Sequence, residues 1–438
     1  MRGDFAFFTM TVRPGANPDA DRWTFELEGV SLDCLPQRQD SGWQFSDCRG
    51  LRSGDHFRVV IAGNDDLDID ASLGGQSLRQ KLLRVQVKEE PVASPNVELL
   101  WRQERTSRSG INTGIWAADG VVMAPTSSGT VELLDAASGM RLGTANVALA
   151  EGRAAAAVQE VTARNGFLYA ATTTKGVVIF DIRNPASPRL AGQFWFDGGS
   201  NNRESFTNVH TLTLGPDGNT LYAINQSHAT TDLRIIDVSN PAAPQELGRY
   251  LRPEVQDILD GFHDITVIDR QGRRIGLLAS LGSGLLIVDL TNPAAVRPLG
   301  SITWDGVLSH SGAAFEAGGK LYYAHNDEGF DQGMTILDVS DLTDPKVVAR
   351  YQTRRGTSIH NIEIVNNIAY VSYYLEGLRV VDLRDPARPV EIGHYDTVAA
   401  EDEEELFQGA WGVKVLDGRV FISDMQSGTF AFRVQVPN

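Results

Sequence analysis

The sequence has few positive charges for its length and contains no long apolar run. Across 438 residues, 39 Lys and Arg stand against 56 Asp and Glu, which gives a formal net charge of -17. Because phosphate backbones are bound by clustered Lys and Arg, this acidic balance argues against a nucleic-acid partner. No stretch approaches the roughly 20 consecutive apolar residues that cross a bilayer, so the sequence predicts no transmembrane segment.

The motifs of several common enzyme classes are missing. The chain has no GxGxxG after a strand, no Walker loop, no HExxH and no GxSxG elbow, which argues against the nucleotide-binding, zincin and serine-hydrolase classes that use them. The start, MRGDFAFFTM, has no apolar region followed by a small-residue cleavage site. The sequence as given therefore predicts no export signal.

Only two cysteines are present, Cys34 and Cys48. Two thiols cannot form a Cys₄ zinc site, whereas their spacing suits one small disulfide loop. We expect that disulfide. It favours an oxidising compartment, extracellular or periplasmic.

What the chain does contain is a repeated phrase, an apolar β-branched run that ends in Asp and is followed by a hydrophobe and a polar turn. This pattern is typical of a strand that leads into a tight turn. It occurs as VELLDAASG from 131, VVIFDIRNPASP from 177, LRIIDVSNPAAP from 233, LLIVDLTNPAAV from 285, MTILDVSDLTDP from 334 and LRVVDLRDPARP from 378. The anchoring aspartates are Asp135, Asp181, Asp237, Asp289, Asp338 and Asp382.

Each repeat has room for four short antiparallel strands, which is the content of a propeller blade. A shorter unit from 411 ends the chain with three strands, and a strand near 97–104 can supply its fourth and close the ring. The sequence thus predicts an all-β protein, a seven-bladed β-propeller over 93–438. Residues 1–92 lack the period, and four predicted strands around a loop with both cysteines indicate a small β-sandwich-like domain.

These phrases resemble the LVIVD-repeat family, whose name is nearly spelled by LLIVD at 285–289. The stretch GLRVVDLRDPARPVEIGHYDT, with GAWGVKV and SDMQSG, is similar to the ending of bacterial surface-anchored members. The resemblance covers roughly 97–438 and implies the propeller fold. It implies no reaction, because the family is named for its repeat.

Four of the eight histidines occupy one position in four successive repeats. In a propeller, the first strand of each blade lines the central channel, and its first residues lie at the same end of the channel in every blade. Aligning the first residues of these strands therefore shows which side chains share that end. The aligned residues are Asn112, Gln159, His210, His263, His310, His360 and Trp411. We therefore predict that the four histidines converge near the axis.

A transition-metal site is the favoured interpretation, because imidazole nitrogen suits iron, copper, nickel and zinc. Iron or copper is preferred over zinc, since structural zinc usually has thiolate or mixed ligands in a local motif. Structural histidines with buried water, or a metal-free site for a small molecule or anion, are the alternatives. Carotenoid-cleaving oxygenases and methanethiol oxidases of the selenium-binding type have a similar architecture, which rests on histidine placement and not on shared motifs.

The predicted function is a metal-dependent oxidase or oxygenase that acts on a small molecule. Asn112, Gln159 and Trp411 would form the open side where a substrate approaches. Loops between second and third strands add further candidates for substrate contact, His228, His325 and Glu376, with Asp327 and Glu328 nearby.

The carboxylates Glu160 and Asp264 are interpreted as structural, because neighbours on a strand point to opposite faces. The alternative function is a non-catalytic extracellular or surface-associated propeller that binds a protein or glycan through its loop face. Metal content separates the two hypotheses.

Overall fold

A computed structural model of the chain describes residues 10–13, 22–27, 30–39, 42–49, 56–62, 66–73, 76–83, 92–105, 110–153, 156–199, 202, 204–227, 231–251, 261–329, 331–354, 356–398 and 407–437. The chain divides into two compact units, Met1–Lys88 with Arg354–Gly356, and the remainder. Within the described ranges, no helix is long and apolar enough to span a membrane.

The first unit contains one antiparallel sheet in which each strand pairs with the next along the chain. Its strands are β1 (Met10–Arg13), β2 (Trp23–Leu27), β3 (Val30–Gln39), β4 (Gly42–Arg49), β5 (His56–Ala62), β6 (Asp66–Leu73) and β7 (Gln76–Leu83). The prediction of four strands was wrong, because longer stretches pair than the apolar runs indicate. With one sheet described, the predicted sandwich-like arrangement is not confirmed.

Cys34 and Cys48 form a disulfide, as predicted. They lie on β3 and β4 and face each other directly in the register, not on a loop. Cross-strand pairing itself brings the two sulfur atoms together.

In the described part of the second unit, seven sheets of four antiparallel strands follow one another, a propeller-like arrangement; we number them sheets 1 to 7. Their first strands are β9 (Trp116–Ala118), β13 (Val158–Arg164), β17 (Val209–Leu214), β21 (Asp264–Arg270), β25 (Ser309–Ala317), β29 (Asn361–Val365) and β33 (Ala410–Leu416). Their second strands are β10 (Val121–Pro125), β14 (Phe167–Thr172), β18 (Thr220–Asn225), β22 (Arg273–Ser280), β26 (Lys320–Asp327), β30 (Ile368–Ser372) and β34 (Arg419–Asp424).

The third strands carry the repeated phrase in sheets 1 to 6. They are β11 (Thr130–Asp135), β15 (Val177–Asp181), β19 (Asp232–Asp237), β23 (Gly284–Asp289), β27 (Met334–Asp338), β31 (Leu378–Asp382) and β35 (Gly428–Val434). The fourth strands of sheets 1 to 6 are β12 (Arg141–Asn146), β16 (Arg189–Phe194), β20 (Gln245–Tyr250), β24 (Arg297–Ile302), β28 (Lys346–Tyr351) and β32 (Val390–Tyr395). In sheet 7 the fourth strand is β8 (Val97–Gln103), which pairs antiparallel with β35. The 3₁₀ helices Val147–Leu149 and Pro293–Ala295 lie between strands.

In sheets 1 to 6 the repeated Asp is the last residue of the third strand, and in several of them it caps the turn that follows. Asp181, Asp237 and Asp289 accept hydrogen bonds from the main-chain N–H two residues later, at 3.1, 2.8 and 2.9 Å. A short acceptor side chain at this position stabilises the turn. This turn also packs against the preceding sheet. The turn after Asp237 in sheet 3 lies so close to β16 of sheet 2 that a Cβ added at Gly192 would overlap the carbonyl oxygen of Pro241.

The core is distributed between neighbouring sheets. In one cluster, Val177 and Ile179 of sheet 2 pack with Leu212, Leu221 and Ile236 of sheet 3, all with at most 5% exposure. The first strands contact one another in chain order, and β33 contacts β9. This closed series of contacts brings the openings of the first strands together.

Candidate metal centre

The four predicted histidines are brought together by consecutive sheets. His210 and His310 lie at the start of β17 and β25, while His263 and His360 immediately precede β21 and β29. The ring centroids are 4.3 Å apart for His210 and His263, 4.0 Å for His263 and His310, and 4.2 Å for His310 and His360. His263, His310 and His360 are buried, and His210 is partly buried. The four imidazoles form one continuous cluster.

Main-chain carbonyls orient two of these rings. Nδ1 of His263 lies 3.1 Å from the carbonyl oxygen of His310, and Nδ1 of His360 lies 2.5 Å from that of Trp411. Because a carbonyl only accepts, we infer that each Nδ1 carries the proton and that each Nε2 keeps its lone pair. Nε2 of His263 lies 2.7 Å from Nε2 of His210, which is a hydrogen-bond distance between two imidazoles, one donating and the other accepting.

A carboxylate completes the cluster. Oε2 of Glu328 lies 3.4 Å from Nε2 of His310, and its Oε1 lies 3.8 Å from Nε2 of His360. His263, His310 and Glu328 each offer one ligand atom, and these three atoms lie within 4.8 Å of one another. The sequence interpretation placed Glu328 among the loop residues that could reach the channel mouth, behind the ligands or in contact with substrate, or else in a solvated polar loop, and did not predict it as a ligand. The signal was its position just past the end of β26, since antiparallel pairing places that point beside the opening of β25.

Burial keeps the imidazoles uncharged. It lowers the pKa of His210 to about 4 and those of His310 and His360 to about 3. Burial, reinforced by the neighbouring imidazoles, also lowers the pKa of His263 well below its ordinary value. Burial raises the pKa of Glu328. At neutral pH the imidazoles are therefore uncharged, and the unprotonated nitrogen of each ring is available as a ligand.

Two adjoining cavities flank the cluster. The smaller one, about 10 Å³, is lined by the four histidines together with Gln159, Glu160 and Trp411, and its size is near the lower limit for one water molecule. The larger one, about 340 Å³, lies among the first strands, which we call the channel cavity. Glu160 and Thr211 line both cavities.

Two of the three residues predicted for the open side lie at the cluster. Gln159 lines the small cavity, and Trp411 also packs against His360 with ring centroids 4.5 Å apart. Asn112 is buried at 5% exposure and is not among the described residues that line either cavity. An isolated bridge between Asn112 and Thr126 places it just beyond the end of β10 in sheet 1.

Glu160 and Asp264 line the channel cavity, although the sequence interpretation pointed them toward a neighbouring sheet. The alternation argument failed because the pairing of β13 with β14 is irregular between Val158 and Glu160, and Gln159 and Glu160 both line the small cavity. Burial, then the neighbouring Asp264 carboxylate, raises the pKa of Glu160 to about 8. Burial raises the pKa of Asp264 to about 7.

The loop residues predicted to contact substrate are not described at the histidine cluster. His325 is fully buried, with its ring centroid 5.1 Å from that of Trp304. Glu376 is buried and forms an ion pair with Arg379 at 2.6 Å. His228 lies outside the described residues. Buried packing and an internal ion pair explain why His325 and Glu376 do not line the two cavities.

Comparison with known proteins identifies the repeat. Residues 155–195, 229–252, 329–353 and 357–397 match the family model of the LVIVD repeat. No curated protein matches the chain. Among solved structures, the computationally designed Ika8 protein is similar, with 12% sequence identity, a TM-score of 0.49 and coverage of 86% of this chain and 93% of that chain. That similarity is too low to support an argument, whereas the four family matches confirm the predicted resemblance: the chain contains LVIVD repeats in these four stretches.

Proposed function

We propose that this protein is a seven-bladed propeller that holds a redox-active transition metal and oxidises a small molecule. The single observation that carries the proposal is the convergence of the imidazoles of His263 and His310 with the Glu328 carboxylate within 4.8 Å. The seven successive four-stranded sheets and the contact of β33 with β9 support the blade number.

The residues present fit a transition metal. Ligating histidines usually donate their second N–H to a carbonyl or carboxylate, and His263 and His360 do so. Two imidazoles and one carboxylate are the ligand set of non-haem iron(II) oxygenases. We therefore assign His263, His310 and Glu328 as the principal ligands and favour iron, with copper as the second choice. His210 and His360 flank them and could complete the ligand set.

The metal would supply a path for electrons from the substrate to dioxygen, and the chain would supply binding and exclusion of water. In an oxidase reaction, the substrate loses two electrons and two protons, and O₂ takes them up as hydrogen peroxide. In a dioxygenase reaction, both atoms of O₂ enter the product, and no other reductant is required. Gln159 and Trp411, beside the ligands, would contact the substrate. The disulfide supports an extracellular or periplasmic location.

The first test is metal content. We expect about one equivalent of iron or copper per chain, by elemental mass spectrometry, in protein purified without chelators or reconstituted with Fe²⁺. H263A and H310A should each lose that metal while keeping their thermal transition. H394A is the matched control, since His394 lies on the outer strand β32 beside Glu391.

The outcomes separate the hypotheses. Retention of the metal by both H263A and H310A would show that the site is elsewhere. A wild-type protein that binds no iron or copper after reconstitution would refute the enzyme proposal and favour a non-catalytic propeller that binds a protein or glycan through its loops. Oxygen uptake with candidate small molecules follows only if metal is present.

A further inference from the structure

Tyr374 lies over the carboxylate of the candidate metal centre. It follows β30 in sheet 6, whereas Glu328 follows β26 in sheet 5. The Tyr374 hydroxyl donates a hydrogen bond to Oε1 of Glu328. The same carboxylate directs Oε2 toward Nε2 of His310. Tyr374 thus binds one oxygen of the Glu328 carboxylate, and the other oxygen of this carboxylate faces His310.

The aromatic ring of Tyr374 is fixed by its neighbours. The side chain is 1% exposed. Its centroid is 5.0 Å from that of His360, 5.3 Å from that of Phe407 and 6.3 Å from that of Trp411, each in an edge-to-face arrangement. Edge-to-face contacts of this kind restrict the ring to one orientation. The hydroxyl is therefore aimed by packing against residues of the site itself.

The backbone of Tyr374 is held in an uncommon conformation. Its φ is +33°, in a region that residues other than glycine rarely adopt. Two hydrogen bonds with Ala410 of sheet 7, at 3.0 and 3.1 Å, keep it there. Gly409 permits this approach, because an added Cβ would overlap the carbonyl oxygen of Tyr374. Strained backbone that is retained by surrounding structure is a feature of functional sites.

We propose that Tyr374 is a positioning residue that orients the Glu328 carboxylate for metal binding. This inference rests on the proposed function. The phenol donates to Oε1, which leaves Oε2 directed at the space beside His310. Without the hydroxyl, the Glu328 side chain would be free to rotate, and it would have to be ordered again each time the metal binds. Hydrogen-bond partners of metal ligands contribute to affinity in this way.

Substitution of Tyr374 by Phe tests the proposal, because it removes only the hydroxyl. We expect Y374F to bind Co²⁺, used as a spectroscopic probe, about 10- to 100-fold more weakly than the wild-type protein. The visible absorption of bound Co²⁺ should also change, since the carboxylate is reoriented. Y373F is the matched control: Tyr373 is adjacent and fully buried, and its hydroxyl donates to the main-chain oxygen of Gln332 at 3.2 Å.

A double-mutant comparison separates positioning from general packing. If Tyr374 acts through Glu328, then Y374F should weaken Co²⁺ binding by less than about twofold when it is introduced into E328Q. The proposal would be overturned if Y374F lowered the Co²⁺ affinity equally in the wild-type protein and in E328Q. It would also be overturned if Y374F alone left the Co²⁺ affinity and the absorption spectrum unchanged. Failure of the wild-type protein to bind Co²⁺, Fe²⁺ or Cu²⁺ would instead overturn the proposed function and this inference with it.

Discussion

Replacing Glu160 by Gln should change the pH dependence of stability. Glu160 lines the channel cavity, and burial, then the Asp264 carboxylate, raises its pKa from 4.5 to about 8. In the unfolded chain the same carboxyl returns to its ordinary pKa. Between these two values the folded protein holds this proton more tightly than the unfolded chain does. The stability from this carboxyl is therefore fully present below about pH 4.5 and is lost as the pH rises through about 8.

The size of the effect follows from the two pKa values. One pKa unit corresponds to about 1.4 kcal/mol, so the difference between 4.5 and about 8 sets an upper limit of roughly 4 to 5 kcal/mol. Because the carboxyl faces a cavity of about 340 Å³, hydration should reduce the loss of stability on ionisation. We expect this loss to be about 2 to 4 kcal/mol. Gln is nearly the same shape and does not ionise. E160Q should therefore exceed the wild-type protein in stability at about pH 9, with the advantage shrinking toward about pH 5.

Urea unfolding followed by tryptophan fluorescence, repeated between about pH 5 and pH 9, measures this difference. E316Q is the control, since Glu316 also lies on a first strand, β25, but its side chain is 74% exposed. A constant difference between E160Q and the wild-type protein across this range would refute the reasoning, because it would mean that Glu160 has the same pKa in both states.

Two other measurements address the buried charges and the metal. Arg379 is 1% exposed and pairs with Glu376 at 2.6 Å and Asp396 at 3.4 Å, so R379A should lower the free energy of unfolding in urea by about 3 to 5 kcal/mol; a loss below about 1 kcal/mol would contradict a buried network. Because burial lowers the pKa of His210 to about 4 and that of His310 to about 3, protons should displace the metal only below about pH 4. Metal content after dialysis at stepwise lower pH checks this, and release near pH 6.5, the ordinary pKa of histidine, would contradict it.

The repeats could be found from the sequence because their chemistry is local. An apolar β-branched run followed by Asp and a turn requires only neighbouring residues, and Asp181 and Asp237 cap turns two residues ahead. The histidine alignment had the same origin, since equivalent positions in successive repeats occupy equivalent places in successive sheets. The all-β class, the LVIVD repeats and the Cys34–Cys48 disulfide were therefore predictable.

Only the tertiary structure decided which side chains meet. Regular strand alternation would point Gln159 and Glu160 in opposite directions, but the pairing is irregular between Val158 and Glu160, and both residues line the small cavity. Glu328 and Tyr374 come from loops of different sheets and meet only because those sheets are adjacent. The sequence determined the strands of the repeats, their turns and the histidine positions, because these depend on local pattern. The positions of the Glu328 carboxylate, of Tyr374 and of the acidic residues of the channel cavity depend on packing between distant segments.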